Sequence, residues 1–200
     1  MKNLIDACKA FGDSSLLLAL DGLTDPQNLG AIIRSAEALG AQGLILPQRR
    51  SAGLTGSVAK VAAGALEHLP VARVVNLNRS LEKLKDEGYT VVGLAEEGSS
   101  TLSEIKFQGP LVVVVGSEDK GISLITRRLC DQLVRIPLKG VTTSLNASVA
   151  TSIFLYEVAR SKWMRSISGQ DPSPRLLLSL IHISEPTRRY AISYAVFCLK

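Results

Sequence analysis

Apolar, β-branched runs alternate with helical patterns along this chain, and that alternation constrains its fold more than any other feature. The runs are Leu16–Leu20, Gly43–Pro47, Val71–Val75, Thr90–Leu94, Leu111–Val115 and Leu133–Ile136. A stretch such as LVVVV at 111–115 shows no polar alternation, so it suits a strand buried on both faces. Helical periodicity falls between the runs, at Asn28–Leu39, Thr55–Ala63, Leu77–Glu87, Ser123–Cys130 and Leu145–Lys162. Buried strands joined by helices predict an α/β fold, a mostly parallel sheet flanked by helices. Functional groups in such a fold gather at the carboxyl ends of the strands. Ser99–Gln108 carries polar punctuation and is expected to be a loop.

The chain has 200 residues, enough for one substantial core, but its end stands apart. LSLIHISEPTR (Leu178 to Arg188) is the translation of a transposase-type sequencing adapter, and ISYAVFCLK (Ile192 to Lys200) reads like the remainder of that adapter. Residues 178–200 are therefore expected to contribute nothing to fold or function, and residues 166–177 to form a disordered exit. Without Arg188, Arg189, Lys200 and Glu185 the formal net charge falls from +5 to +3. That balance permits nucleic-acid binding without requiring it. His68, Cys8 and Cys130 then remain as the only His and Cys residues, too few and too dispersed for a zinc site or a disulfide framework. No metal is expected. Residues 1–177 contain no secretory leader and no long uncharged apolar span, so a reduced, cytoplasmic protein without membrane association is expected.

Three blocks carry the chemistry. In GSEDKGIS (Gly116 to Ser123), Gly116 and Gly121 flank Glu118, which lets backbone approach a ligand without a Cβ in the way. In IPLKGVTTSLN (Ile136 to Asn146), Ile136-Pro137 ends a strand, Gly140 allows a sharp loop and Ser144-Leu145-Asn146 starts a helix. In LDGLTDPQNLGAIIRSAEALGA (Leu20 to Ala41), an Asp/Pro/Asn turn opens a helix with Asn28 as its cap and Arg34 further along. Singly, each has an ordinary reading: a glycine turn, a helix cap, a solvated arginine. No strand is followed by G-x-G-x-x-G, which disfavours a dinucleotide cofactor.

In this order the blocks resemble the SpoU-type RNA ribose 2′-O-methyltransferases of the SPOUT superfamily, from about Leu16 to Trp163. The resemblance implies a deep C-terminal trefoil knot, S-adenosyl-L-methionine as cofactor, an RNA substrate and a homodimer formed through the C-terminal helix. It implies that Gly116, Ile136 and Leu145, with Gly121 and Leu138, hold the cofactor, and that Asn28, Arg34, Glu118, Ser144 and Asn146 form the polar site. Arg34 is expected to meet the target phosphate and ribose; arginine stays protonated, so it positions and stabilises rather than acting as a base. Glu118 is expected to anchor Arg34 or Asn28. GALEHLPVARVVNL (Gly64 to Leu77) is closer to the bacterial 23S rRNA guanosine branch than to the tRNA branch, with His68 outside the catalytic set. Arg49, Arg50 and Lys60 offer phosphate contacts or a solvated face. Relatives in that branch usually carry an RNA-binding domain ahead of the catalytic one, so residues 1–15 are expected to be a linker remnant of it. A tRNA methyltransferase and a catalytically silent RNA-binding module are the alternatives.

Overall fold

The computed structural model describes residues 1–105, 107–142 and 144–164; the expected exit segment and adapter-derived tail lie outside the described residues. Met1–Lys162 form one compact unit. Strands β1 (Leu16–Asp21), β2 (Gly43–Pro47), β3 (Val71–Val74), β4 (Thr90–Leu94), β5 (Ser100–Thr101), β6 (Leu111–Gly116) and β7 (Gln132–Arg135) make one sheet in the order β3-β2-β1-β6-β4-β7-β5. Every ladder in it is parallel. Helices α1 (Lys2–Cys8), α2 (Pro26–Ala38), α3 (Gly56–Ala62), α4 (Leu77–Asp86), α5 (Leu124–Leu129) and α6 (Ala147–Lys162) cover it.

The alternation of side chains along each strand divides the core in two. Leu16, Leu18 and Leu20 of β1 and Leu111, Val113 and Val115 of β6 pack with Leu29, Ile32 and Ile33 of α2 and Phe154 of α6. Leu17, Ala19, Val112 and Val114 face the other way, towards Leu77, Leu81 and Leu84 of α4. These central strands are therefore buried on both sides, as their uninterrupted apolar runs require. Phe154 also meets Phe107 edge-on, with ring centroids 5.7 Å apart.

Two segments differ from expectation. Residues 1–15, expected to be a linker, are helical: α1 runs into a 3-10 turn at Lys9–Ser14, and Leu4, Ile5 and Cys8 are buried against the α4 side of the sheet. The helix is too short for periodicity to announce it, and its partner surface is made by residues far along the chain. The expected loop Ser99–Gln108 contains β5, which pairs Ser100 with Val134 and Thr101 with Arg135. Nothing apolar marks that strand; it exists through its pairing with β7.

Two return paths set the site. Chain order takes β6 between β1 and β4, placing three carboxyl ends side by side. After β7 the chain comes back across that rim to α6, which packs on α2; the knot implied by the family resemblance would run through this crossing. Among the described residues no helix is long and apolar enough to cross a membrane, and no group of His, Cys, Asp and Glu is placed to hold a metal ion.

Candidate active site

The carboxyl ends of β4, β6 and β7 and the turn before α6 enclose a cavity of about 870 Å³, a size suited to a nucleoside-scale ligand. Leu94, Val115, Ile136, Leu138, Leu145 and Ala150 give it apolar walls, and its polar side carries charges of both signs, Glu96, Glu97, Glu118 and Asp119 with Lys120, Arg127 and Arg135. All the residues expected to hold the cofactor, Gly116, Gly121, Ile136, Leu138 and Leu145, line it, as do Glu118, Ser144 and Asn146. Asn28 and Arg34 do not.

The loop after β6 closes on itself. Ser117 N donates to Gly121 O at 3.1 Å and Gly121 N returns a bond to Ser117 O at 2.9 Å, holding Glu118, Asp119 and Lys120 at the tip. A Cβ on Gly116 would overlap the backbone of Gly121 and Ile122, and Gly121 sits at φ +62. The glycines thus serve the loop's own closure, in addition to the ligand approach that the sequence suggested.

Asn28 is not the cap of α2. Asp25 is: its carboxylate accepts from Gln27 N at 3.0 Å and Asn28 N at 3.3 Å, with Pro26 at the first helical position. Freed from capping, the Asn28 side chain is buried and spans two elements. Its Nδ2 donates to Glu118 Oε1 at 2.7 Å, and its Oδ1 accepts from Asn146 Nδ2 at 3.0 Å. The amide orientation follows from chemistry, because a carboxylate acceptor demands the NH₂ end. Asn146 in turn caps α6, its Oδ1 accepting from Ser148 N at 2.9 Å and Val149 N at 3.4 Å. Glu118, Asn28 and Asn146 therefore form one chain of hydrogen bonds joining the β6 loop, α2 and α6. Of the two expected partners of Glu118, Asn28 is the one it meets.

Arg34 stands apart from this chain. Six residues beyond Asn28 on α2, it faces a different direction, is exposed, and makes no hydrogen bond or ion pair with another described residue.

No site residue expected from the sequence falls on the β4 side of the cavity. Leu94 to Glu97 wall it there, and Glu97 forms an ion pair with Arg127, whose Nε donates to Ile122 O at 2.9 Å. Applying the carboxyl-end rule to Leu94 would have found the loop; the Arg127 partnership depends on α5 docking and leaves no mark in the sequence. Gly98 admits this loop's close approach, since a Cβ there would meet the β7 backbone at Val134 C, 2.5 Å away.

The model of the SpoU rRNA methylase family matches residues 15–156. An uncharacterised tRNA/rRNA methyltransferase of Synechocystis is 54% identical over 160 residues, covering 80% of this chain and 42% of that protein. The 23S rRNA (guanosine-2′-O-)-methyltransferase RlmB of Pseudomonas aeruginosa is 50% identical over 147 residues, covering 74% and 59%. The chain thus spans about half the length of the curated relatives it matches. Among solved structures, the SpoU methyltransferase AviRb of Streptomyces viridochromogenes in complex with the cofactor AdoMet superposes with a TM-score of 0.70 at 34% identity, covering 74% of this chain and 60% of that one.

Proposed function

The chain belongs to the SpoU rRNA methylase family, and from that membership we propose that it methylates the ribose 2′-hydroxyl of a guanosine in 23S rRNA, using S-adenosyl-L-methionine. The observation that carries the reading is the hydrogen-bonded chain Glu118–Asn28–Asn146 set against an apolar-walled cavity at the strand ends. The likeness to the Pseudomonas aeruginosa enzyme supports guanosine in 23S rRNA as the target.

The cavity fits the cofactor by chemistry. Apolar walls accommodate the adenine, and the backbone of the Gly116–Gly121 and Ile136–Leu138 segments offers amides and carbonyls to it. When bound, S-adenosyl-L-methionine supplies an electrophilic methyl group on a sulfonium. In-line displacement needs alignment above all. Glu118, Asn28 and Asn146 provide it by fixing three elements around the reacting groups. Ser144, at the cavity wall, donates to the ribose or the cofactor. Arg34 clamps a substrate phosphate and stabilises charge near the attacking oxygen, and removal of the hydroxyl proton is shared with that phosphate.

A homodimer belongs to the same reading. Phe154 and Val158 of α6 are fully buried, whereas Val149, Ile153 and Tyr156 are 47%, 39% and 52% exposed. Leu138 and Leu145, also exposed, are apolar residues at the cavity wall. A second copy seated there would cover the patch and bring another α2 towards the site.

Incubation of the chain with radiolabelled S-adenosyl-L-methionine and unmodified 23S rRNA or tRNA, followed by nucleoside mass mapping, tests the proposal. The expected product is 2′-O-methylguanosine in the 23S rRNA. Label in tRNA alone moves the target to tRNA, and a folded chain that labels neither overturns the activity.

A further inference from the structure

The cavity occupies the carboxyl rim of the sheet at β6, β4 and β7, and cations occupy the same rim at β2 and β3. Arg49 and Arg50 follow β2, and Arg50 adopts φ 57, an uncommon conformation for a residue with a Cβ. Its carbonyl oxygen lies 3.9 Å from where a Cβ on Gly22 would sit, and Ser117 Cβ, in the cavity wall, lies 3.8 Å from that same point. The backbone of the basic turn therefore lies close to Ser117 in the cavity wall. On its other side, Arg73 Nη2 donates to Gln48 O at 3.3 Å, tying the turn to edge strand β3. There a groove of about 480 Å³ runs from Val75 and Asn76 at the rim down beside α4, lined by Arg73, Arg79 and Lys83 with no carboxylate in its walls.

None of these cations is ion-paired among the described residues, although Lys9, Lys85, Arg127 and Arg160 all are. Unpaired guanidinium groups along a concave, acid-free wall concentrate positive potential and match phosphate oxygens. We infer that Arg49, Arg50, Arg73, Arg79 and Lys83 form a track for the phosphates of the RNA strand flanking the nucleotide held in the cavity. This rests on the reading of the cavity as an RNA methyltransferase site. From β6 to β3 is three strand spacings, about 14 Å, so the track serves neighbouring nucleotides in the same strand. Continuity with the cavity favours RNA over a separate lipid or protein partner. Lys60 is exposed on α3, whose Val58 and Ala62 pack against the opposite face of the sheet, and it lies off the track.

The test is anisotropy of a labelled single-stranded RNA oligonucleotide across a salt series, with the full chain, and with calorimetry of S-adenosylhomocysteine and thermal unfolding alongside. In Arg79→Ala/Lys83→Ala, RNA affinity is expected to fall about tenfold and the plot of log affinity against log salt to become shallower by about 1 to 2. Cofactor-product affinity and melting temperature are expected to stay unchanged. Arg50→Gly suits the local backbone, keeps the fold, and should lower the slope by about 1; Lys60→Ala should change nothing. Unaltered affinity and slope in both track variants, or an equal loss in Lys60→Ala, overturns the track. A wild-type chain that binds S-adenosylhomocysteine but no RNA also overturns it and leaves the cofactor site standing. RNA binding that depends on the track without any binding of S-adenosylhomocysteine supports the track and sinks the methyltransferase reading. Loss of binding to phosphatidylglycerol vesicles, with RNA unaffected, assigns the groove to a lipid surface and overturns the proposal.

Discussion

Asn146 Nδ2 donates to Asn28 Oδ1 at 3.0 Å across 118 residues of sequence. Each asparagine also bonds elsewhere, since Asn28 holds Glu118 and Asn146 starts α6. The bond therefore couples where α6 begins to where the β6 loop points. A change at either residue acts on both elements together.

Asn28→Ala removes the middle of that chain. Loss of the two hydrogen bonds should cost about 1–2 kcal/mol of stability, measured by chemical denaturation. Turnover on RNA should fall about 100-fold, because misplacement of aligned groups is expensive in rate. Full turnover in the variant would mean that the chain is structural only.

Arg34→Ala separates binding from chemistry. Arg34 is exposed and absent from the cavity wall, so S-adenosylhomocysteine affinity should stay within a few-fold of wild type by calorimetry. Methyl transfer should drop about 100-fold or more, as for loss of one charge-stabilising donor. Near-normal transfer would return Arg34 to the status of a solvated surface residue.

Gly116→Ala tests the loop closure. The new methyl group overlaps backbone at Gly121 and Ile122, and backbone yields less readily than a side-chain tip. Destabilisation of about 3 kcal/mol and loss of S-adenosylhomocysteine binding are expected from denaturation and calorimetry; binding at wild-type affinity would contradict this account of the loop.

The folded thiols should be inert. Burial pushes the Cys130 thiol up to about 11, with the Asp131 carboxylate adding to the shift, and burial also raises the Cys8 thiol. Because the reactive species is the thiolate, only about one Cys130 in a thousand is ionised at pH 8. Peptide mapping after iodoacetamide at pH 8 should find both residues unmodified, with Cys130 labelling increasing as pH approaches 11. Rapid labelling at pH 8 would show that the burial is wrong.

Ile153→Arg and Tyr156→Glu place charge on the exposed stripe of α6 and should convert a dimeric mass to a monomeric one by light scattering at micromolar concentration, with far-UV circular dichroism unchanged. A wild-type chain that is already monomeric would remove the dimer from the proposal.

The sheet was legible because strands such as Leu111–Val115 lie between two helical layers, and uninterrupted apolar runs record that condition directly. Residues 1–15 and Ser100–Thr101 were not, since their structure comes from partners distant in sequence. The residues expected to hold the cofactor fell along the cavity because glycine, proline and Ser-Leu-Asn turns mark strand ends locally. The role of Asn28 was harder: Asp25, Pro26 and Asn28 all favour a helix start, and only the fold decides which of them caps. Arg127 pairs with Glu97 through the docking of α5, a relationship that neither residue's neighbours in the chain reveal.

The position of β6 between β1 and β4 has a consequence for biosynthesis. When the ribosome has delivered residues up to Thr101, β1 has β2 on one side and nothing on the other, and β4 has no neighbour at all. The nascent chain thus holds an open, apolar strand edge, the kind of surface that recruits chaperones or self-associates. One six-residue strand then closes the gap, and β7 with the turn before α6 completes the rim of the cavity. Ribosome-stalled chains in which β1 to β5 have left the exit tunnel should bind a chaperone that recognises apolar segments, and chains in which β6 and α6 have also emerged should release it; equal binding at both lengths would show that the edge is protected some other way.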